Sequence, residues 1–131
     1  MRDFITIEHR IPLFVTFRDR VITFSKACAI ALEFPKKIKI QVSKAGDLMA
    51  ISASDDLTAF PFFTKAGEGK QTFYRISSRE LMSELERLSG IQFGRKPMRF
   101  GGLFDEETKT VLFDLKKGAE VYVNNKKKKQ Q

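Results

Sequence analysis

A chain of 131 residues with 42% hydrophobic residues is long enough for one domain with a single hydrophobic core. Its single cysteine excludes an internal disulfide and a multi-cysteine metal site, and no apolar run approaches the ~18 residues that a membrane-spanning helix requires. The formal net charge of +8 includes four consecutive lysines near the end of the chain, so residues 1–125 hold 20 basic and 16 acidic side chains and are only mildly basic.

The first elements predicted along the chain are two strands and a helix. Residues 11–18 alternate with one fully apolar face, and a tight turn leads to a second strand over 21–24. Ser25 is the predicted N-cap of a helix over 26–34, which is apolar almost all round and is therefore expected to be buried. Pro35 ends this helix, since the residue before proline disfavours the helical region.

A hairpin and an irregular stretch come next. Residues 36–42 alternate in hydrophobicity, Gly46 suits the positive φ of a tight turn, and 48–53 form the returning strand. Residues 54–70 are the least regular stretch, and a connection of this length is uncommon unless it has a function of its own.

The second half of the chain has the same order of elements. After a strand over 71–76, Ser77 or Ser78 is predicted to begin a helix that ends at Gly90, and the run Ser77-Ser78-Arg79-Glu80 matches a capping box. Strand patterns separated by turns fill residues 91–123, with a bulge expected at Gly101-Gly102.

An internal repeat is suggested by segments 20–53 and 73–115. Ser25 matches Ser78, Lys26 matches Arg79, and a Leu-Glu pair ends each match, although so few identities also arise by chance. We therefore predict an α+β fold, mainly antiparallel sheet with two helices, in which two pseudo-symmetric strand–helix–hairpin (βαββ) units form a single domain over 1–125. The basic tail over 126–131 is expected to be disordered.

The patterns that carry enzyme chemistry are weak in this chain. The run Gly67-Glu68-Gly69-Lys70 lacks the spacing of a phosphate loop, and the acidic residues over 55–56 and 105–107 lie in predicted turns. Cys28 lies in an apolar stretch typical of a buried structural cysteine. We predict no catalytic residue, no metal site and no cofactor, and an enzyme is the third of three functional hypotheses.

Basic side chains are the best remaining signal. Two lysines share the outer face of the strand over 36–42, three basic residues take the corresponding place in the second half, and each predicted helix begins with one more. Such side chains can bind a phosphate backbone, although strands that face water also often carry lysine. The predicted nucleic-acid-binding residues are Lys26, Lys37, Lys39, Arg79, Arg95, Lys96 and Arg99.

The alternative function is protein–protein interaction or homodimerisation through the Phe60–Phe63 loop. Phe60, Phe62 and Phe63 are the predicted partner-binding residues, because a loop rich in phenylalanine seldom stays exposed without a partner. The other interpretation is that the loop folds back and fills the core. With an acid early in the N-terminal sequence and no long apolar stretch there, we expect a soluble cytoplasmic protein without a membrane partner.

One short resemblance lies near the end of the chain. Residues 115–121, Leu-Lys-Lys-Gly-Ala-Glu-Val, are similar to the closing strand–turn–strand of AbrB-like DNA-binding proteins, with Ala119 where that family has an acid. The similarity covers only this segment, and the chain is longer and more helical, so it is not assigned to the family.

Overall fold

The computed structural model describes residues 12–62, 64–66 and 71–120. Within these ranges it consists mainly of antiparallel sheet with two helices, which confirms the predicted fold class at this level. The predictions made for Phe63, for the glycines at 67 and 69 and for the basic tail fall outside the described residues.

The element order matches the predicted order, except that two short strands lie within the stretch over 54–70 that was expected to be irregular. Helix α1 is Lys26–Ala31 and helix α2 is Arg79–Ser89. The strands are β1 Phe14–Arg18, β2 Val21–Phe24, β3 Lys37–Val42, β4 Leu48–Ala53, β5 Phe60–Pro61, β6 Thr64–Ala66, β7 Gln71–Phe73, β8 Arg75–Ser77, β9 Met98–Asp105, β10 Thr110–Asp114 and β11 Ala119–Glu120.

The main sheet has the strand order β5-β3-β4-β10-β9-β1-β2-β8, with β11 also paired to β9, while β6 and β7 pair with each other. Strand β9 pairs with two strands in succession, its first half with β1 and its second half with β10. Gly101 and Gly102, where a bulge was predicted, lie at this change of partner. A Cβ atom on Gly102 would lie 2.8 Å from a ring carbon of Phe113, so the glycine allows the ring to pack on the strand.

The core is rich in phenylalanine, as its abundance in the sequence suggests. Phe17 stacks on Phe93 with ring centroids 4.3 Å apart and meets the edge of Phe100 at 5.5 Å. The largest fully buried side chains are Phe17, Phe62, Phe100, Phe113, Ile22, Ile38, Met49 and Ile51. These phenylalanine rings bury apolar surface and leave no polar group to satisfy.

Helix α1 begins at Lys26, as predicted, but it lacks the expected capping bond and ends earlier than expected. It ends at Ala31 instead of residue 34, because Glu33 and Phe34 adopt positive φ angles of 63° and 52°. Ser25 occupies the N-cap position, but its hydroxyl makes no capping bond. Its Oγ instead accepts from the Phe14 backbone N–H and donates to a backbone carbonyl at residue 12, which ties the helix start to β1.

Helix α2 begins one residue later than the predicted capping box requires. Ser78 is the N-cap, and its Oγ accepts from the Leu81 backbone N–H at 3.2 Å. Glu80 is therefore the second helical residue, one position too early for the reciprocal bond of a box. Gly90 ends the helix with φ +78°, as predicted. Residues 91–93, where the strand patterns of 91–123 were expected to begin, form no strand, and the Phe93 N–H donates to the Glu86 carboxylate.

Candidate nucleic-acid interface

The outer face of the sheet formed by β9, β1, β2 and β8 carries a row of four polar side chains. Pairing between the strands places Arg99 opposite Thr16, Thr16 opposite Thr23, and Thr23 opposite Arg75. Directly opposite residues share one face of a sheet. Their neighbours along the strands, such as Val15 and Phe100, are fully buried, so the row points away from the core.

Arg99 is held in place by two contacts on β1. The carbon of its guanidinium lies 3.9 Å from the centre of the Phe14 ring, and its Nε donates to Thr16 Oγ1 at 3.3 Å. The side chain is nevertheless exposed. It therefore presents a planar cation in a fixed orientation, with donors remaining for a further partner.

A second row continues this surface toward the β1–β2 turn. Arg18 lies opposite Val21, which in turn lies opposite Ser77. Arg18 is exposed, and within the described ranges it forms no ion pair. Among the described residues, no outward position is acidic on β1, β2, β8 or the part of β9 that pairs with β1. We call this surface the arginine–threonine face, and it consists of Phe14, Thr16, Arg18, Thr23, Arg75 and Arg99.

Two of the predicted residues meet at a cavity that adjoins this face. Arg79 begins α2, Arg95 lies in the connection from α2 to β9, and both line a cavity of about 550 Å³ together with Arg20 from the β1–β2 turn. The Asp19 N–H donates to the Gly94 carbonyl at 2.8 Å, which fixes this turn against the connection. We call this the arginine cavity.

The other predicted basic residues lie elsewhere. Lys39 lines a separate cavity beside Lys109, and Lys37 on the same strand is half-buried. Their strand is separated from β9 by β4 and β10 in the sheet order. Lys26 and Lys96 are exposed, at the start of α1 and next to Arg95. The seven predicted residues therefore line no single pocket.

The sequence did not single out Arg18, Arg20 or the two threonines of the row. Alternation along β1 does place Phe14, Thr16 and Arg18 on one side of the strand. Which strand lies beside them is a matter of long-range pairing, and no local pattern specifies it.

The phenylalanine loop is largely turned inward. Phe62 is fully buried, with its ring centroid 5.4 Å from that of Phe24 and 5.5 Å from that of Tyr74. Phe60 is half-buried and packs against the same core. For these two residues, the structure matches the interpretation in which the loop fills the core.

Cys28 is fully buried, as predicted. Burial raises the pKa of its thiol, and hydrogen bonds from the surroundings, including one with Ser25, offset only part of this rise. A buried thiol that stays protonated is a packing residue and a poor nucleophile.

No family model, curated protein or solved structure matches the chain. Among the described residues, no group of three or more His, Cys, Asp or Glu side chains is placed to hold a metal ion. Neither described helix has the length and apolar character needed to cross a membrane.

Proposed function

We propose that this chain is a non-enzymatic protein that binds nucleic acid through the arginine–threonine face. The observation that carries the proposal is the row from Arg99 to Arg75, which crosses four strands and is flanked by the exposed Arg18. Guanidinium groups and hydroxyls are among the side-chain donors that commonly contact phosphate oxygens. None of the six residues that form the face is acidic, so none of them repels a polyanion.

The dimensions of the face suit an extended strand. Three inter-strand spacings of ~4.8 Å separate Arg99 from Arg75, or about 14 Å in all. At the ~3.4 Å rise per nucleotide of a stacked strand, this span covers about four nucleotides. A single strand laid across β9, β1, β2 and β8 would therefore meet an arginine at each end of the row and hydroxyls between them.

Arg99 has the most specific role in this proposal. One side of its guanidinium plane rests on Phe14, so little conformational entropy remains to be lost when it binds. The exposed side can accept a stacked base, while its remaining N–H groups donate to a phosphate.

The test is the salt dependence of binding to fluorescently labelled oligonucleotides, measured by anisotropy for single- and double-stranded DNA and RNA. The Arg18→Gln and Arg99→Gln variants remove charge from the face. Lys44→Gln is the matched control, because Lys44 is an exposed cation in the β3–β4 turn, away from the face. Each arginine variant should lower the slope of log K against log salt by about one, since each removes about one phosphate contact.

The control should bind nearly as the wild type does. Equal losses in all three variants would indicate a general charge effect and would count against a specific face. The absence of binding to any of the four nucleic acids at low salt would refute the proposal. No observation among the described residues favours the phenylalanine loop as a partner site, so we do not propose a second function.

We also infer that segments 20–53 and 73–115 descend from one repeated unit. Each contains strand, helix and two strands in the same order, β2-α1-β3-β4 and β8-α2-β9-β10. Like strands also pair with like, β2 with β8 and β4 with β10. The test is superposition of the two segments in an experimental structure, where helices in unrelated orientations would contradict the inference.

A further inference from the structure

We propose that the arginine cavity binds a phosphomonoester, the group found in a free nucleoside 5′-monophosphate and at the phosphorylated end of a strand. This site is separate from the arginine–threonine face, and the proposal does not depend on binding at that face. It rests on three guanidinium groups from three distant parts of the chain, Arg20, Arg79 and Arg95, which line one cavity.

The three arginines lack partners within the described residues. No ion pair involves any of them, and no hydrogen bond from their side chains is formed. In contrast, Arg87 on the exposed side of the same helix forms a two-point ion pair with Glu84 at 2.8 Å. Three unpaired cations beside one cavity favour the binding of an anion there.

The cavity has a net positive charge. Asp19 and Glu86 also line it, so the positive groups exceed the negative groups by one. One Glu86 oxygen already accepts the Phe93 N–H at 2.8 Å, which anchors that carboxylate to the cavity wall. A phosphomonoester carries a charge of about −1.5 to −2 near neutral pH, whereas a diester within a strand carries only −1. Because a positive site attracts a dianion more strongly than a monoanion, we expect the cavity to prefer a terminal phosphate.

The size and floor of the cavity suit a nucleotide better than a bare anion. Its volume of about 550 Å³ lies within the ~300–1,000 Å³ typical of small-molecule sites. Val21, Met82 and Phe93 provide apolar lining beside the arginines, and Ser83 adds a hydroxyl. A base or sugar can rest on the apolar part while the phosphate lies among the guanidinium groups.

The position of the cavity also connects it with the face. Val21 belongs to its lining and lies opposite Arg18 in the second row of the arginine–threonine face. A strand bound on the face could therefore place its phosphorylated end in the cavity, which makes a strand end as suitable a source as a free nucleotide.

The experiment has two arms, both on the full chain. Isothermal titration calorimetry compares adenosine 5′-monophosphate with adenosine, and anisotropy compares a 5′-phosphorylated oligonucleotide with the same sequence ending in a 5′-hydroxyl. The variants are Arg20→Gln and Arg79→Gln. Arg87→Gln is the matched control, because it removes an exposed arginine from the same helix. Circular dichroism verifies that each variant is folded.

We expect the phosphate to improve binding about tenfold in at least one arm, and each cavity variant to remove most of this gain, as is usual for a charge-assisted hydrogen bond. If the phosphate improves affinity only for the monophosphate, the ligand of the cavity is a free nucleotide. If it improves affinity for the oligonucleotide, the ligand is the phosphorylated end of a strand. No gain in either arm overturns the proposal, as does a gain that survives in folded Arg20→Gln and Arg79→Gln proteins. If 5′-hydroxyl oligonucleotides fail to bind, nucleic-acid binding at the arginine–threonine face is refuted. The calorimetry with adenosine 5′-monophosphate still tests the arginine cavity in that case.

Discussion

Gly46 and Gly90 offer a comparison between two glycines in the same backbone conformation. Their φ angles are +77° and +78°, both in the left-handed region that side chains disfavour. A Cβ atom on Gly90 would meet nothing within 4 Å, whereas one on Gly46 would collide with the Leu88 carbonyl oxygen and lie 3.2 Å from Cα of Ser89. The β3–β4 turn is thus packed against the last turn of α2 through a position where only glycine fits.

Substituting alanine at each position separates the cost of the left-handed backbone from the cost of the steric conflict. Gly90→Ala should lower the free energy of unfolding by about 1–2 kcal/mol, the cost of left-handed backbone alone. Gly46→Ala adds a steric conflict with backbone that cannot rotate away, and overpacking of this kind adds about 1–3 kcal/mol. The total for Gly46→Ala is therefore about 2–5 kcal/mol, a large part of the ~5–15 kcal/mol by which a native domain is typically stable.

Urea denaturation followed by far-UV circular dichroism measures both variants, because the chain has no tryptophan for fluorescence. The m-value should stay constant while the midpoint falls further for Gly46→Ala. Equal losses for the two variants would show that the turn does not pack on α2 as described.

Three further stability predictions concern the helix cap Ser78, the hydrogen bond between Ser25 and β1, and the buried Cys28. Ser78→Ala should cost about 1 kcal/mol in urea denaturation, because it removes the bond to the Leu81 N–H; no loss would contradict the cap. Ser25→Ala should cost about 1–3 kcal/mol by leaving the partly buried Phe14 N–H without its partner, and a neutral result would contradict this hydrogen bond. Cys28→Ala should cost about 1 kcal/mol at pH 7. Burial raises the pKa of the Cys28 thiol in the native state, so the thiol of the unfolded chain ionises at a lower pH. The contribution of the neutral thiol to the free energy of unfolding is therefore complete below the unfolded-state pKa. It declines as the pH rises above that value. The difference between wild type and Cys28→Ala should therefore shrink between pH 8 and pH 10, and a difference that grows would contradict the burial.

Local patterns in the sequence predicted most of the elements. Alternation identified β1 and β3, and the predicted turns after them located β2 and β4. The serine before and the glycine after α2 defined its ends to within a residue. The predictions that were wrong depended on contacts between segments distant in sequence. Ser25 was predicted to cap α1, but its hydroxyl is used by β1, which is adjacent in space and distant in sequence. Local propensity yields to such tertiary contacts.

The candidate interface was harder to predict than the fold. Basic residues in strands and at helix starts were visible, but whether they converge depends on strand order. Two strands separate Lys37 and Lys39 from β9, whereas β1 lies directly beside it and contributes Thr16 and Arg18. The pairing of β1 with β9 joins residues more than eighty positions apart, and no local pattern encodes it.

The arginine–threonine face is tested most directly by amide chemical-shift mapping with an unlabelled single-stranded oligonucleotide. The proposal predicts that the largest shifts fall on Thr16, Arg18, Thr23 and Arg99, while β3 and the β3–β4 turn change little. Shifts concentrated around Lys37 and Lys39, or a uniform response across the surface, would contradict binding at this face.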